Sequence, residues 1–164
     1  MLKNTTPFAT ADLCDAHSDK LDIVAPMFIK FGARIAFAGQ IRTLKVFEDN
    51  ALVRQTLSTP GTGHVLVVDG GGSLRCALVG DQLAGLAQQN NWSGVIVYGC
   101  VRDSLEINKI DVGIRALNTH PLRSLGKGIG DIDIPVAFGG VKFLPGQWLY
   151  ADADGIVIAA EALL

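Results

Sequence analysis

Two apolar runs flank one amphipathic segment in the middle of the chain, and their order constrains most of what can be built around them. "HVLVVDGGG" (64–72) and "GVIVYG" (94–99) are near-continuous apolar stretches, the pattern of strands buried on both faces of a sheet. Between them "DQLAGLAQQNN" (81–91) puts Leu83, Leu86 and Ala87 on one helical stripe, with Gly80 just before it. Strand, helix and strand form a β-α-β unit over 64–99, a crossover that makes its two strands parallel. In such a unit the residues following one strand and those following the next lie at the same edge of the sheet. Gly80–Leu83 and Arg102–Asp103 are therefore expected to meet, although twenty residues separate Asp81 from Arg102.

The remaining segments surround this unit with short strands. "TADLCDAH" predicts a first helix with Thr10 as its N-cap. "GARIAFAGQIRTLKVF" alternates and is β-branched, the pattern of one or two strands, and "EDNALVRQTLS" is a short helix carrying Leu52, Val53 and Leu57. "IRALNTHP", "IPVAFGGVKF", "WLYAD" and "GIVIAA" read as later strands joined by glycine- or aspartate-rich turns. With no linker or internal repeat, residues 1–164 are expected to form a single domain. The order of elements points to an α/β fold with strands in layers, not to a doubly wound nucleotide fold.

Composition removes several function classes. Apolar residues make up 49% of the chain and charged residues 18%, yet no apolar run approaches the roughly 20 residues of a membrane helix. The apolar excess is expected to sit in subunit interfaces. "MLKNTTPFATADLCD" lacks the apolar core of a signal peptide. Cys14, Cys76 and Cys100 are far apart, as expected for reduced, buried thiols of a cytoplasmic protein. His17, His64 and His120 have no metal-ligand spacing, which argues against zinc. A net charge of −2 without a basic cluster argues against direct nucleic-acid binding.

Two glycine-rich stretches invite a phosphate-binding reading. "DGGGS" (69–73) and "GKGIG" (126–130) match neither the P-loop nor the dinucleotide pattern, and both are expected to be turns. The edge where Gly80–Leu83 meets Arg102–Asp103 carries more chemistry. A helix N-terminus offers unpaired N–H groups to an anion. Arginine binds a carboxylate in a two-pronged fashion, and a carboxylate with several waters suits Mg²⁺. Adjacent residues of an extended chain point to opposite faces, so Arg102 and Asp103 are not expected to pair with each other. Ligand site and surface ion network are both compatible with these residues.

Asp81 followed by twenty residues and then Arg102-Asp103 resembles the D-x20-R-D signature of class II pyruvate aldolases. The segments "TADLCDAH", "FGARIAFAGQI", "KVFEDNALV", "VLVVDGGGSLRCALVGDQLAGLAQQN", "VIVYGCVRD", "DVGIRALN" and "VAFGGVKFLPGQWLYADADGIVIA" extend the likeness over nearly the whole chain, to regulators of ribonuclease activity A of the same superfamily. The resemblance implies a compact layered β/β/α sandwich of the swivelling type with mixed sheets, assembled as a homotrimer. It implies cleavage of 4-hydroxy-4-methyl-2-oxoglutarate and related 2-keto acids to pyruvate, together with oxaloacetate decarboxylation. Asp103 would hold the divalent metal (Mg²⁺ or Mn²⁺), and Asp81 would orient a metal-bound water. Arg102 would contact the substrate and stabilise the enolate oxygen. The backbone of Gly80, Asp81, Gln82 and Leu83 would hold the pyruvyl carboxylate. Longer aldolases reach a neighbouring active site with extra C-terminal sequence, a role for which Glu161 is the candidate here. The alternative that the resemblance carries is a protein-binding inhibitor of ribonuclease E.

Overall fold

The structure is a computed structural model and describes residues 6–164; the first five residues of the segment read as lacking a leader lie outside it. The chain runs through α1 (Thr10–His17), β1 (Leu21–Ile23), β2 (Ile29–Phe31), β3 (Phe37–Lys45), α2 (Ala51–Leu57) and β4 (His64–Asp69). It continues through β5 (Ala77–Val79), α3 (Asp81–Gln89), β6 (Gly94–Val101), α4 (Ser104–Ile107) and β7 (Gly113–Thr119). The last third holds β8 (Asp131–Ile132), β9 (Val136–Phe138), β10 (Val141–Phe143), β11 (Trp148–Ala151) and β12 (Ile156–Ala159).

The strands with the longest apolar runs lie at the centre. One mixed sheet has the order β1-β12-β11-β3-β4-β6-β7-β2, with β5 added to β6 and β8 to β3. β3, β4, β6 and β7 are mutually parallel, and β11 and β2 flank them antiparallel. Alternation along the strands decides which layer covers which face. Leu44, Leu66, Val68, Val95 and Val97 share one core with Val53 and Leu57 of α2 and Leu83, Ala84 and Ala87 of α3. Ile41, Val65, Val67 and Ile96 point the other way, onto Val136, Phe138 and Phe143 of the β9–β10 hairpin. The result is the helix, sheet and strand layering of the expected α/β sandwich. A one-residue slip of β4 against β3 would exchange the two sets, so the paired registers Ile41↔Val65 and Leu44↔Val68 are fixed by burial.

Three readings change. Thr10 is the first residue of α1, not its cap, and Ala9 precedes it. Its hydroxyl and N–H instead donate to the Asp152 carboxylate, both at 2.7 Å, a distant partner invisible to local capping rules. "GARIAFAGQIRTLKVF" keeps its reading: of the expected one or two strands it forms one, β3. Cys76 and Cys100 are buried, but Cys14 is only half-buried, against the small cluster of Leu13, Tyr150 and Val157. The strand that feeds α3 is β5, not β4. At the end of β4 the chain leaves the sheet at "DGGGS", a turn as expected, with Gly71 and Gly72 at φ +68° and +71°. Gly70 and Gly72 both donate to the Tyr98 carbonyl at 3.1 Å, and Gly71 donates to Asp69 Oδ1 at 2.9 Å. β5 then rejoins the same sheet further along β6, pairing Ala77 with Cys100 and Val79 with Val101.

Candidate functional site

β5 and β6 end side by side, which brings Gly80 and Arg102 together. The Arg102 N–H donates to the Val79 carbonyl at 2.9 Å. The chain after β6 turns sharply because Asp103 is left-handed, at φ 58° and ψ 40°, a conformation aspartate tolerates better than most residues. That turn swings the Asp103 carboxylate over the start of α3, where Oδ2 accepts the Asp81 N–H at 3.2 Å. Only glycine at position 80 leaves this approach undisturbed: a Cβ there would lie 2.7 Å from Asp103 Oδ2 and 3.4 Å from Arg102 Cγ. Arg102 and Asp103 thus reach the same glycine from a backbone turn, not from an extended strand, and no ion pair joins them.

All six expected site residues, Gly80, Asp81, Gln82, Leu83, Arg102 and Asp103, line one cleft of about 540 Å³. The N–H groups of Gln82 and Leu83, in the first turn of α3, find no acceptor among the described residues. The half-buried Arg102 guanidinium also has no acceptor among them, while Asp103 is exposed. Glu161, exposed just after β12, does not line this cleft.

Sequence reasoning missed the opposite wall, formed by Asn50 and Arg54 from the start of α2 and by Arg123 and Ser124 from the segment after β7. No spacing rule links these positions; long-range backbone pairing does. Ala77 donates to the Leu122 carbonyl at 2.7 Å and Ser124 to Ala77 at 3.2 Å, which lays residues 122–124 along β5. Leu125 donates to Glu48 and Asn50 to Leu125, each at 2.9 Å, tying that segment to the start of α2.

N–H groups of the "GKGIG" loop converge on an anion, and the anion is internal. The buried Asp49 carboxylate accepts from Lys127 at 2.9 Å, Gly128 at 3.2 Å, Ile129 at 3.3 Å and Ala51 at 3.0 Å. Burial alone would raise this carboxyl's pKa, but the four donors hold it below its ordinary value.

No group of three or more His, Cys, Asp or Glu side chains placed to hold a metal occurs among the described residues. The donor set of the cleft is Asp103 and Asp81, two carboxylates beside open space. This fits a hard cation that keeps most of its water, and it does not fit a fully protein-ligated zinc.

The chain is similar to known proteins in sequence and in fold. A protein from Aromatoleum aromaticum named "Putative 4-hydroxy-4-methyl-2-oxoglutarate aldolase" is 61% identical over 157 residues, covering 96% of this chain and 99% of its own. The crystal structure of a Geobacillus kaustophilus protein, described as S-adenosylmethionine: 2-dimethylmenaquinone methyltransferase, superposes with a TM-score of 0.93 at 47% identity, over 95% of this chain and 97% of that one. The RNA-processing inhibitor RraA from Thermus thermophilis also gives 0.93, at 45% identity over 97% of this chain and 96% of its own. The family model described as "RraA-like: Aldolase/RraA" matches residues 10–158, from the first helix to the last strand, and the chain belongs to that family.

Proposed function

We propose that the protein is a metal-dependent lyase that cleaves 4-hydroxy-4-methyl-2-oxoglutarate-type 2-keto acids to pyruvate and decarboxylates oxaloacetate. The observation that carries this reading is the convergence of a donor-rich helix start, a free guanidinium and two carboxylates on one cleft. The free N–H groups of Gln82 and Leu83 bind the substrate's 1-carboxylate, helped by the positive end of α3. Arg102 donates to the 2-keto oxygen, where negative charge grows as the C3–C4 bond breaks and the enolate of pyruvate forms. In the aldol substrate the 4-hydroxyl gives its proton to the water that Asp81 orients and becomes the carbonyl of the second product, and the enolate takes a proton from water at C3 to become pyruvate. In oxaloacetate the fragment lost is carbon dioxide, and the same enolate results. Asp103 would hold a divalent cation, Mg²⁺ or Mn²⁺, through the carboxylate oxygen that does not face Asp81. When bound, the cation supplies Lewis-acid polarisation of the keto group. Asp81 would orient water beside that carboxylate.

Pyruvate release from oxaloacetate and from 4-hydroxy-4-methyl-2-oxoglutarate, measured with Mg²⁺, Mn²⁺ or EDTA, tests the reading. Turnover that requires metal and is lost in Asp103→Ala supports it, and a chain inactive with every divalent metal sinks it. The exposed Phe47, Leu74, Leu122, Leu125 and Ile129 support association between copies, which this reading takes to be a trimer in the cytoplasm. The full-length likeness to an RNA-processing inhibitor favours a second role, inhibition of ribonuclease E by surface contact. Unchanged ribonuclease binding by an inactive Arg102→Ala would make the two roles independent, and absence of wild-type binding in a pull-down would remove the second.

A further inference from the structure

The seven arginines of the chain divide cleanly by their partners. Arg34, Arg42 and Arg75 each meet a carboxylate, at 3.1 Å from Asp111, 2.9 Å from Asp133 and 2.6 Å from Glu48. Arg115 is buried and donates to the carbonyls of Ile35 and Asp152. The other three, Arg54, Arg102 and Arg123, have no carboxylate within ion-pair distance among the described residues, and all three line the same cleft. Three uncompensated guanidinium groups in one concavity repel one another unless an anion sits among them. The cleft's own carboxylates, Asp81 and Asp103, make no ion pair with any of the three, and one oxygen of Asp103 is turned to the Asp81 N–H.

Their placement follows the first turn of α3. Arg102 lies against Gly80, and Arg54 reaches Gln82, whose side-chain oxygen is 3.4 Å from its Nη2. Arg123 faces them from the strip laid along β5. We propose that Arg54 and Arg123 form a second anion subsite beyond Arg102, which selects 2-keto acids carrying at least one further carboxylate at the end remote from the keto group. This rests on the 2-keto-acid reading of the cleft and deepens it, because it assigns specificity to residues outside the Asp81, Arg102 and Asp103 set. The guanidinium fork recognises a planar carboxylate in two-pronged fashion, so charge alone is not enough.

The test is calorimetric binding of pyruvate and of 2-oxoglutarate to the intact protein in Mg²⁺. 2-Oxoglutarate is a 2-keto acid that adds a distal carboxylate and has no aldol hydroxyl to cleave. The wild type is expected to bind 2-oxoglutarate at least about tenfold more tightly than pyruvate, the scale of a charge-assisted hydrogen bond. Arg54→Gln and Arg123→Gln each remove most of that advantage while pyruvate affinity stays within about twofold. Arg123→Lys restores only part of the advantage. Equal weakening of both ligands, or a wild type that does not discriminate, overturns the proposal and leaves the 2-keto-acid reading standing. A wild type that binds neither ligand overturns both. Melting temperature and elution volume are recorded for each variant. A changed elution volume with unchanged discrimination places these arginines at a contact between copies and also overturns the proposal.

Discussion

Asp103 Oδ2 accepts the backbone N–H of Asp81 at 3.2 Å, so the two aspartates of the signature meet through a main-chain donor and not as competing carboxylates. This bond uses one oxygen of Asp103 and leaves the other free toward the cleft. It also fixes the carboxylate relative to α3, whose next two N–H groups are unused. The proposed separation of roles, with the keto-acid carboxylate at α3 and the cation at Asp103, rests on that arrangement.

Gly80→Ala tests how closely this corner is packed. The backbone at φ −120° and ψ −167° suits alanine, so any effect comes from the added methyl 2.7 Å from Asp103 Oδ2. The carboxylate is the mobile partner and moves away. We expect kcat/KM for pyruvate release to fall about 10- to 100-fold, because misplacement of a positioned group by a fraction of an ångström is costly. Unfolding stability should change by less than about 1 kcal/mol, checked by urea denaturation.

Asp103→Asn and Asp103→Ala separate charge from backbone. Asparagine tolerates the left-handed conformation and keeps an oxygen for the Asp81 N–H, whereas alanine adds strain of about 1 kcal/mol. Both variants should need much more Mg²⁺ for half-maximal activity and lose about 100-fold or more in kcat/KM. Only the alanine variant should also unfold more easily. Metal titration of the rate together with denaturation curves checks both parts.

Asp49 links the "GKGIG" loop to the start of α2, which carries Asn50 and Arg54 into the cleft. Asp49→Ala leaves backbone donors without their acceptor and should cost on the order of 2–3 kcal/mol at neutral pH. Because the folded-state pKa is lowered, the stabilisation is present above the unfolded carboxyl value of about 3.9 and is lost as pH falls through the folded value. The stability gap between wild type and Asp49→Ala should therefore shrink below about pH 4 in urea titrations run from pH 7 to pH 3.

Arg115 is buried, and burial lowers its pKa to about 10 despite the nearby Asp152, so it stays charged at neutral pH. Its Nη2 donates to Ile35 at 2.6 Å and Asp152 at 3.0 Å, and the guanidinium lies 5.0 Å from the Phe37 ring centre. Arg115→Met leaves two carbonyls short of a donor and should destabilise by about 2–4 kcal/mol. It lies outside the cleft, so activity per folded molecule should hold, as active-site titration alongside thermal melting would show.

The β-α-β segment was legible because its pattern is local: two apolar runs and an amphipathic stripe admit one parallel arrangement, and that arrangement predicts the meeting of Gly80 with Arg102. The pairing was right although the strand was not. β5 is three residues long, too short for periodicity to reveal, and it exists because the glycine turn after β4 returns the chain to the same edge of β6. Thr10, read as a local cap, finds its partner 142 residues away, and Asp49, which no local pattern singled out, gathers the "GKGIG" loop from 78 residues away. Arg54 and Arg123 had no signature at all. Their shared cleft is produced by backbone pairing of residues 122–125 with β5 and with the 48–50 segment, a relation between distant stretches of chain. The sequence by itself determined the layered α/β class and the Asp81, Arg102 and Asp103 set. Only the tertiary structure decided the far wall of the cleft, because no local pattern encodes which loops a sheet edge will gather.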